Sequence, residues 1–176
     1  MKYFQLSFLT LLLAFLCSSP LSAQVLTKGS LSVLANQEKV NMICDFDKCT
    51  VDKHTIEYAK AKHENWDQGV VEIIQRFTDG YNEKTKNYCK FGDFPEAKYT
   101  LIYHLDNIDD DQDTRGTIDI IETQTKEVVA HIEKANGSAG TFGSFFNLLG
   151  DAFENLGKKL EKLNRKSSKR EYDLGF

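Results

Sequence analysis

The chain has 176 residues, 41% of them hydrophobic, with 22 basic against 26 acidic side chains and a formal charge of −4. That length is one domain by the usual prior and suffices to bury a sizeable core. The acid excess disfavours general nucleic-acid binding, and no nucleic-acid partner is expected.

The first 23 residues read as a signal peptide. Lys2 supplies a positive charge, Ser7 to Cys17 is a nearly unbroken apolar run, and Leu21-Ser22-Ala23 offers a small-residue cleavage site before Gln24. The run falls short of the about 20 residues that a spanning helix needs. Phe15 and Leu16 precede Cys17, and that bulky pair argues against lipidation. The product expected from this reading begins at Gln24 and is exported across the inner membrane, to the periplasm or the cell surface. It retains Cys44, Cys49 and Cys89, an odd number. Two of the three can pair in an oxidising compartment, and spacing does not decide which. Cys44 and Cys49 are too loosely spaced for a zinc knuckle and have no second one.

After a short apolar lead-in at 29–34, Val40, Met42, Cys44 and Phe46 alternate with polar neighbours, which predicts a strand over 39–47. Residues 55–62 are a helical turn or short helix. From Asn65 to Lys86 the residues Trp66, Val70, Ile73, Ile74, Phe77 and Tyr81 recur at steps of three and four, the stripe of an amphipathic helix. Asn65 is placed to cap it through its side chain. Gly69 and Gly80 weaken it, by about 1 kcal/mol each relative to alanine. Residues 87–97 form a loop in which Pro95 excludes a central strand.

Lys98 to Glu133 predicts a three-strand meander. Tyr99, Leu101, Tyr103 and Leu105 alternate, an acidic turn intervenes, Thr117 to Ile121 resumes the period, and Val128 to Ile132 closes it. A meander cannot bury its apolar face alone. Beyond a glycine-rich connector, Phe142, Phe145, Phe146, Leu149, Phe153, Leu156, Leu160 and Leu163 line a second amphipathic helix with a basic end. The expected fold is α+β: a four-stranded mixed sheet in β-α-β-β-β-α order, with two long amphipathic helices on one face. Residues 24–164 make one domain, and 165–176 read as a basic, unfolded tail.

The side chains offer little chemistry. Asp109, Asp111 and Asp113 have the opening spacing of an EF-hand, yet Thr114 stands where glycine is required and Ile120 where glutamate is. A solvated turn explains the acids more simply, with a looser calcium site as the alternative. His54, His63, His104 and His131 show no metal-ligand spacing. His104 and His131 can share a sheet face with a third strand between them. The glycines of 137–143 lack the spacing and the lysine of a phosphate loop. No nucleophile elbow or dinucleotide fingerprint occurs, so no catalytic, cofactor-binding or metal-binding residue is assigned, and no enzyme activity or cofactor is expected.

Residues 30–34, the strand at 39–47, the Trp66–Phe77–Tyr81 helix, residues 97–105 and 116–130, and the helix at 142–160 together carry a resemblance. The chain resembles the small secreted envelope proteins of Bacteroides-type bacteria, and is similar to the domain-of-unknown-function 4136 and TolB-N-terminal-like group. It departs from that pattern at Thr125-Lys126, where such folds have Thr-Gly. The resemblance implies a scaffold or assembly role without catalytic residues. The expectation is therefore a non-enzymatic envelope or surface protein acting through protein–protein contacts, with an envelope protein as partner. The alternative is a peripheral protein that meets an anionic membrane surface through the helix at 142–163 and the basic tail.

Overall fold

A computed structural model describes residues 24–174. The expected signal peptide, 1–23, lies outside the described residues. Among the described residues the expected sheet of four strands is corrected to one of eight, while the two long helices are accompanied by a short third one in the stretch read as a helical turn or short helix. The strands are β1 Val25–Gly29, β2 Lys39–Asp45, β3 Thr50–Val51, β4 His54–Thr55, β5 Lys90–Gly92, β6 Tyr99–Ile108, β7 Thr114–Glu122 and β8 Val128–Glu133. The helices are α1 Ile56–Lys62, α2 Trp66–Asn82 and α3 Phe145–Leu174, with a 3-10 turn at Leu31–Leu34.

The expected strands are β2, β6, β7 and β8, the stretches with a clear period of two. The other four were hidden for physical reasons. β1 buries little beyond part of Leu26, so it has no visible alternation, and its register comes from antiparallel pairing with β8. β3 and β4 are two residues each, joined through Asp52 and Lys53 at φ 47° and 66°. Two left-handed central residues make the tight hairpin turn usually written with Asn-Gly. β5 is three residues beside the Pro95 loop and runs parallel to β2.

The strand order is β1-β8-β7-β6-β2-β5. The first four form an antiparallel half, while β6, β2 and β5 run parallel. Where β2 leaves β6 after His104, β3 takes over beside Asn107 and Ile108.

One face of the sheet is the core. Val40, Met42, Leu101, Tyr103, Leu105, Ile118, Ile120 and Ile132 are buried there against Ile73, Phe77 and Tyr81 of α2 and Leu149, Phe153, Leu156 and Leu160 of α3. The Tyr103 and Phe153 rings meet edge to face at 5.6 Å, and the Tyr103 hydroxyl donates to the Ala135 carbonyl at 2.8 Å. The helices touch at glycines. A Cβ on Gly80 would lie 2.1 Å from the Glu154 carbonyl oxygen, and one on Gly157 would lie 2.3 Å from that of Phe77. Arg76 clips the same seam, pairing with Asp151 and, at 2.8 Å, with Glu154.

Three further expectations change. Asn65 adopts the left-handed conformation without a side-chain cap bond, and its carbonyl accepts the Gly69 N–H at 2.9 Å. Phe142 precedes α3 and is 94% exposed, so it does not belong to the helix's apolar face. The stretch from Arg165, read as unfolded, continues α3 to Leu174. Among the described residues no helix is long and apolar enough to cross a membrane.

Candidate functional site

Because α2 and α3 cover one face of the sheet, the outward-pointing residues of its central strands form a second, open face. Antiparallel sheets tolerate this, since alternation lets one side be polar. Here the alternation puts Ile43 and Asp45 of β2, Ile102 and His104 of β6, Thr117 and Asp119 of β7, and Val129 and His131 of β8 on the same side. Ile43 is 45% exposed. One end of the face is closed by the Phe94 loop, where Asn41 accepts the Phe94 N–H at 3.0 Å and donates to Thr100 at 3.3 Å.

Across the middle runs a ladder of alternating charge type, one residue per strand. Asp45 Oδ2 lies 2.7 Å from His104 Nδ1, His104 Nε2 lies 3.3 Å from Asp119 Oδ2, and Asp119 Oδ1 lies 2.6 Å from His131 Nδ1. Lys28 of β1 is registered opposite His131. The expected third strand does separate the two histidines, and its Asp119 binds both. Sequence reading missed the ladder because Asp45 and Asp119 are distant in the chain and only strand order brings them together. The signal that existed was the period-two placement of each on the outward side.

Both ring nitrogens of His104 face carboxylates. Both contacts are hydrogen bonds only when both nitrogens carry protons, because a neutral imidazole has a single N–H donor. The Asp45 carboxyl is held below the usual carboxylate range, first by the Asp47 backbone N–H at 3.0 Å and then by His104.

The other two histidines, with part of the acidic turn, line a cleft of about 270 Å³ at one end of the sheet, walled by the β3–β4 hairpin, α1, the β6–β7 turn and the start of α3. His54 lies against Tyr58 with ring centres 4.3 Å apart, and His63 stacks on Phe145 at 4.0 Å. Burial, then Lys62, pushes the His63 imidazole below its ordinary range.

The acids of the turn serve the turn. Asp109 Oδ1 accepts the N–H groups of Asp111 and Asp113 at 3.2 and 2.9 Å, and Asp113 Oδ1 accepts that of Ala139 at 2.7 Å. Among the described residues no three histidine, cysteine or acidic side chains are arranged to hold a metal ion. Cys44, Cys49 and Cys89 are all free thiols, each pushed up to about 12, chiefly by burial.

No protein-family model matches the chain. No curated protein matches it either. Among solved structures it is similar to the PelC dodecamer of Paraburkholderia phytofirmans in two crystal forms. The first is 13% identical, with a TM-score of 0.45, over 80% of this chain and 98% of that one. The second is 12% identical, also at 0.45, over 79% and 96%. It is also similar to a Xanthomonas campestris protein of the DUF330 family, 10% identical with a TM-score of 0.35, over 88% of this chain and 98% of that one. At these values the likeness assigns no function. The class is an α+β protein whose mixed sheet is covered by helices on one side.

Proposed function

We propose that this is an exported, non-enzymatic envelope or surface protein that holds a partner protein against the open face of its sheet. The reading rests chiefly on one observation: the helices bury one face, while the other presents aliphatic side chains beside an ordered charge ladder. Ile43 and Ile102, paired across β2 and β6, offer apolar contact next to Asp45 and His104. That mixture suits a folded protein surface with an aliphatic patch and polar groups at its rim. The ladder's side chains bind one another: His104 lies between Asp45 and Asp119, and Asp119 also meets His131, which fixes the polar groups in place across four strands. Export is supported by the charged, apolar and small-residue order of the first 23 residues.

The lipid-binding use of the second helix fits less well. Leu149, Phe153, Leu156 and Leu160, its apolar face, are each 0% exposed in the core. Lifting that face into a bilayer would strip the sheet of its cover.

The test is partner retention by two lysine variants in native cells, after crosslinking. Ile43→Lys places a charge on the open face, and Val71→Lys does so at an outward position of α2 that is already 67% exposed. The reading predicts that Ile43→Lys loses the crosslinked partner while Val71→Lys keeps it. Retention by both variants overturns it.

A further inference from the structure

On the helical side, away from the open face, a groove of about 310 Å³ lies between the C-terminal part of α2 and the middle of α3. The close approach at Gly80 forms part of its lining. Five cationic side chains line it: Lys84, two residues beyond the end of α2, and Lys158, Lys159, Lys162 and Arg165 from α3. Its two acids already have partners. Glu83 pairs with Lys158 at 3.3 Å. Glu161, 3% exposed, meets Arg165 Nε at 2.5 Å as a charge contact rather than an aligned hydrogen bond.

Among the described residues no carboxylate lies within ion-pair distance of Lys84, Lys159 or Lys162. Lys159 is the informative one. Its ammonium is part-buried and donates to the Asn136 carbonyl at 2.9 Å, a neutral acceptor. Burial works against its charge and lowers its pKa, and the Asp113 carboxylate, beyond ion-pair distance, offsets this only in part. A solvated basic face would instead leave its lysines in water or pair them on the surface.

We propose that this groove binds a phosphate-class anion, with Lys159 as the partly desolvated anchor and Lys84 and Lys162 closing on it from the rim. Lysine binds phosphate as a point charge, and a divalent oxyanion can satisfy several ammonium groups together. The cationic stripe continues along α3 through the exposed Lys166 and Lys169. A phosphate borne on a lipid headgroup and a soluble phosphate share this chemistry. The proposal is independent of the open-face reading.

Two arms test it at low salt on the purified protein: calorimetric titration with inorganic pyrophosphate, and co-sedimentation with phosphatidylglycerol–phosphatidylcholine vesicles against phosphatidylcholine alone. The variants are Lys159→Gln/Lys162→Gln and, to guard against a folding defect at the part-buried lysine, Lys84→Gln/Lys162→Gln at two exposed positions. Lys126→Gln, in the β7–β8 turn, controls for overall charge. The expected result is binding in at least one arm, weakened about tenfold or more by either double variant, unchanged by Lys126→Gln and lost as salt rises. Pyrophosphate binding alone assigns a soluble phosphate, and binding to the anionic vesicles assigns a headgroup. The proposal is overturned if neither probe binds at low salt, or if Lys126→Gln weakens binding as much as the double variants.

Discussion

His104 stands with a carboxylate against each ring nitrogen, and Asp45, one of that pair, accepts the Asp47 N–H as well. The lowered Asp45 pKa has a definite sign in stability. Its contribution is present above the unfolded carboxyl value of about 4 and is lost as pH falls through the lower folded value. Asp45→Asn should therefore reduce the urea midpoint at pH 7, with the gap from the parent protein closing toward about pH 3. A gap that is constant across that range would sink the assignment. The cysteines give a second prediction at this scale. Thiols raised to about 12 by burial hold little thiolate near neutrality, so Cys44, Cys49 and Cys89 should resist iodoacetamide at pH 8 until urea exposes them. Rapid alkylation of the native protein, or a mass two hydrogens short of three thiols, would contradict that.

At the scale of elements, the seam between α2 and α3 decides whether the sheet stays covered. Gly157→Ala opposes two effects. Helix propensity favours alanine by about 1 kcal/mol. The new Cβ, however, would sit 2.3 Å from the Phe77 carbonyl oxygen and 2.8 Å from the Tyr81 nitrogen, backbone atoms that cannot swing away. Overpacking of this kind costs about 1–3 kcal/mol and sometimes more. The close contact wins, and Gly157→Ala should be the less stable protein in urea melts; a stabilised variant would show that the helices do not touch there. Phe153→Ala should cost about 3–5 kcal/mol, because that ring is fully buried against Tyr103. A loss below about 1 kcal/mol would mean that α3 is not docked on the sheet.

The same seam explains what could be read from the chain in advance. Gly80 reads locally as a weak point in a helix, and only the approach of Glu154 on the other long helix shows why a side chain is excluded. The strands with a full period of two were legible, since alternation records burial residue by residue. β1, β3, β4 and β5 were not, because they are too short or too exposed to carry a period and owe their register to neighbours. Within the candidate site, the shared face of His104 and His131 was legible from parity. Asp45 and Asp119 were not, because no local pattern reports strand order. The basic run was visible, whereas the groove that part-buries Lys159 without an ion-pair partner required the packing of two helices.

The molecule as a whole is a sheet with one face buried under helices and one open face. The first is full: both long helices are committed to it, so neither can be lent elsewhere without exposing the core. The second carries aliphatic side chains and a charge ladder whose order is set across four strands, and the proposed partner contact is assigned to that face. The most direct test is a photo-reactive residue introduced at position 43, and in a separate protein at position 71, followed by irradiation of intact native cells. The account predicts a discrete protein adduct from position 43 and none from position 71. An adduct from position 71 with none from position 43 would place the partner on the helices and contradict it.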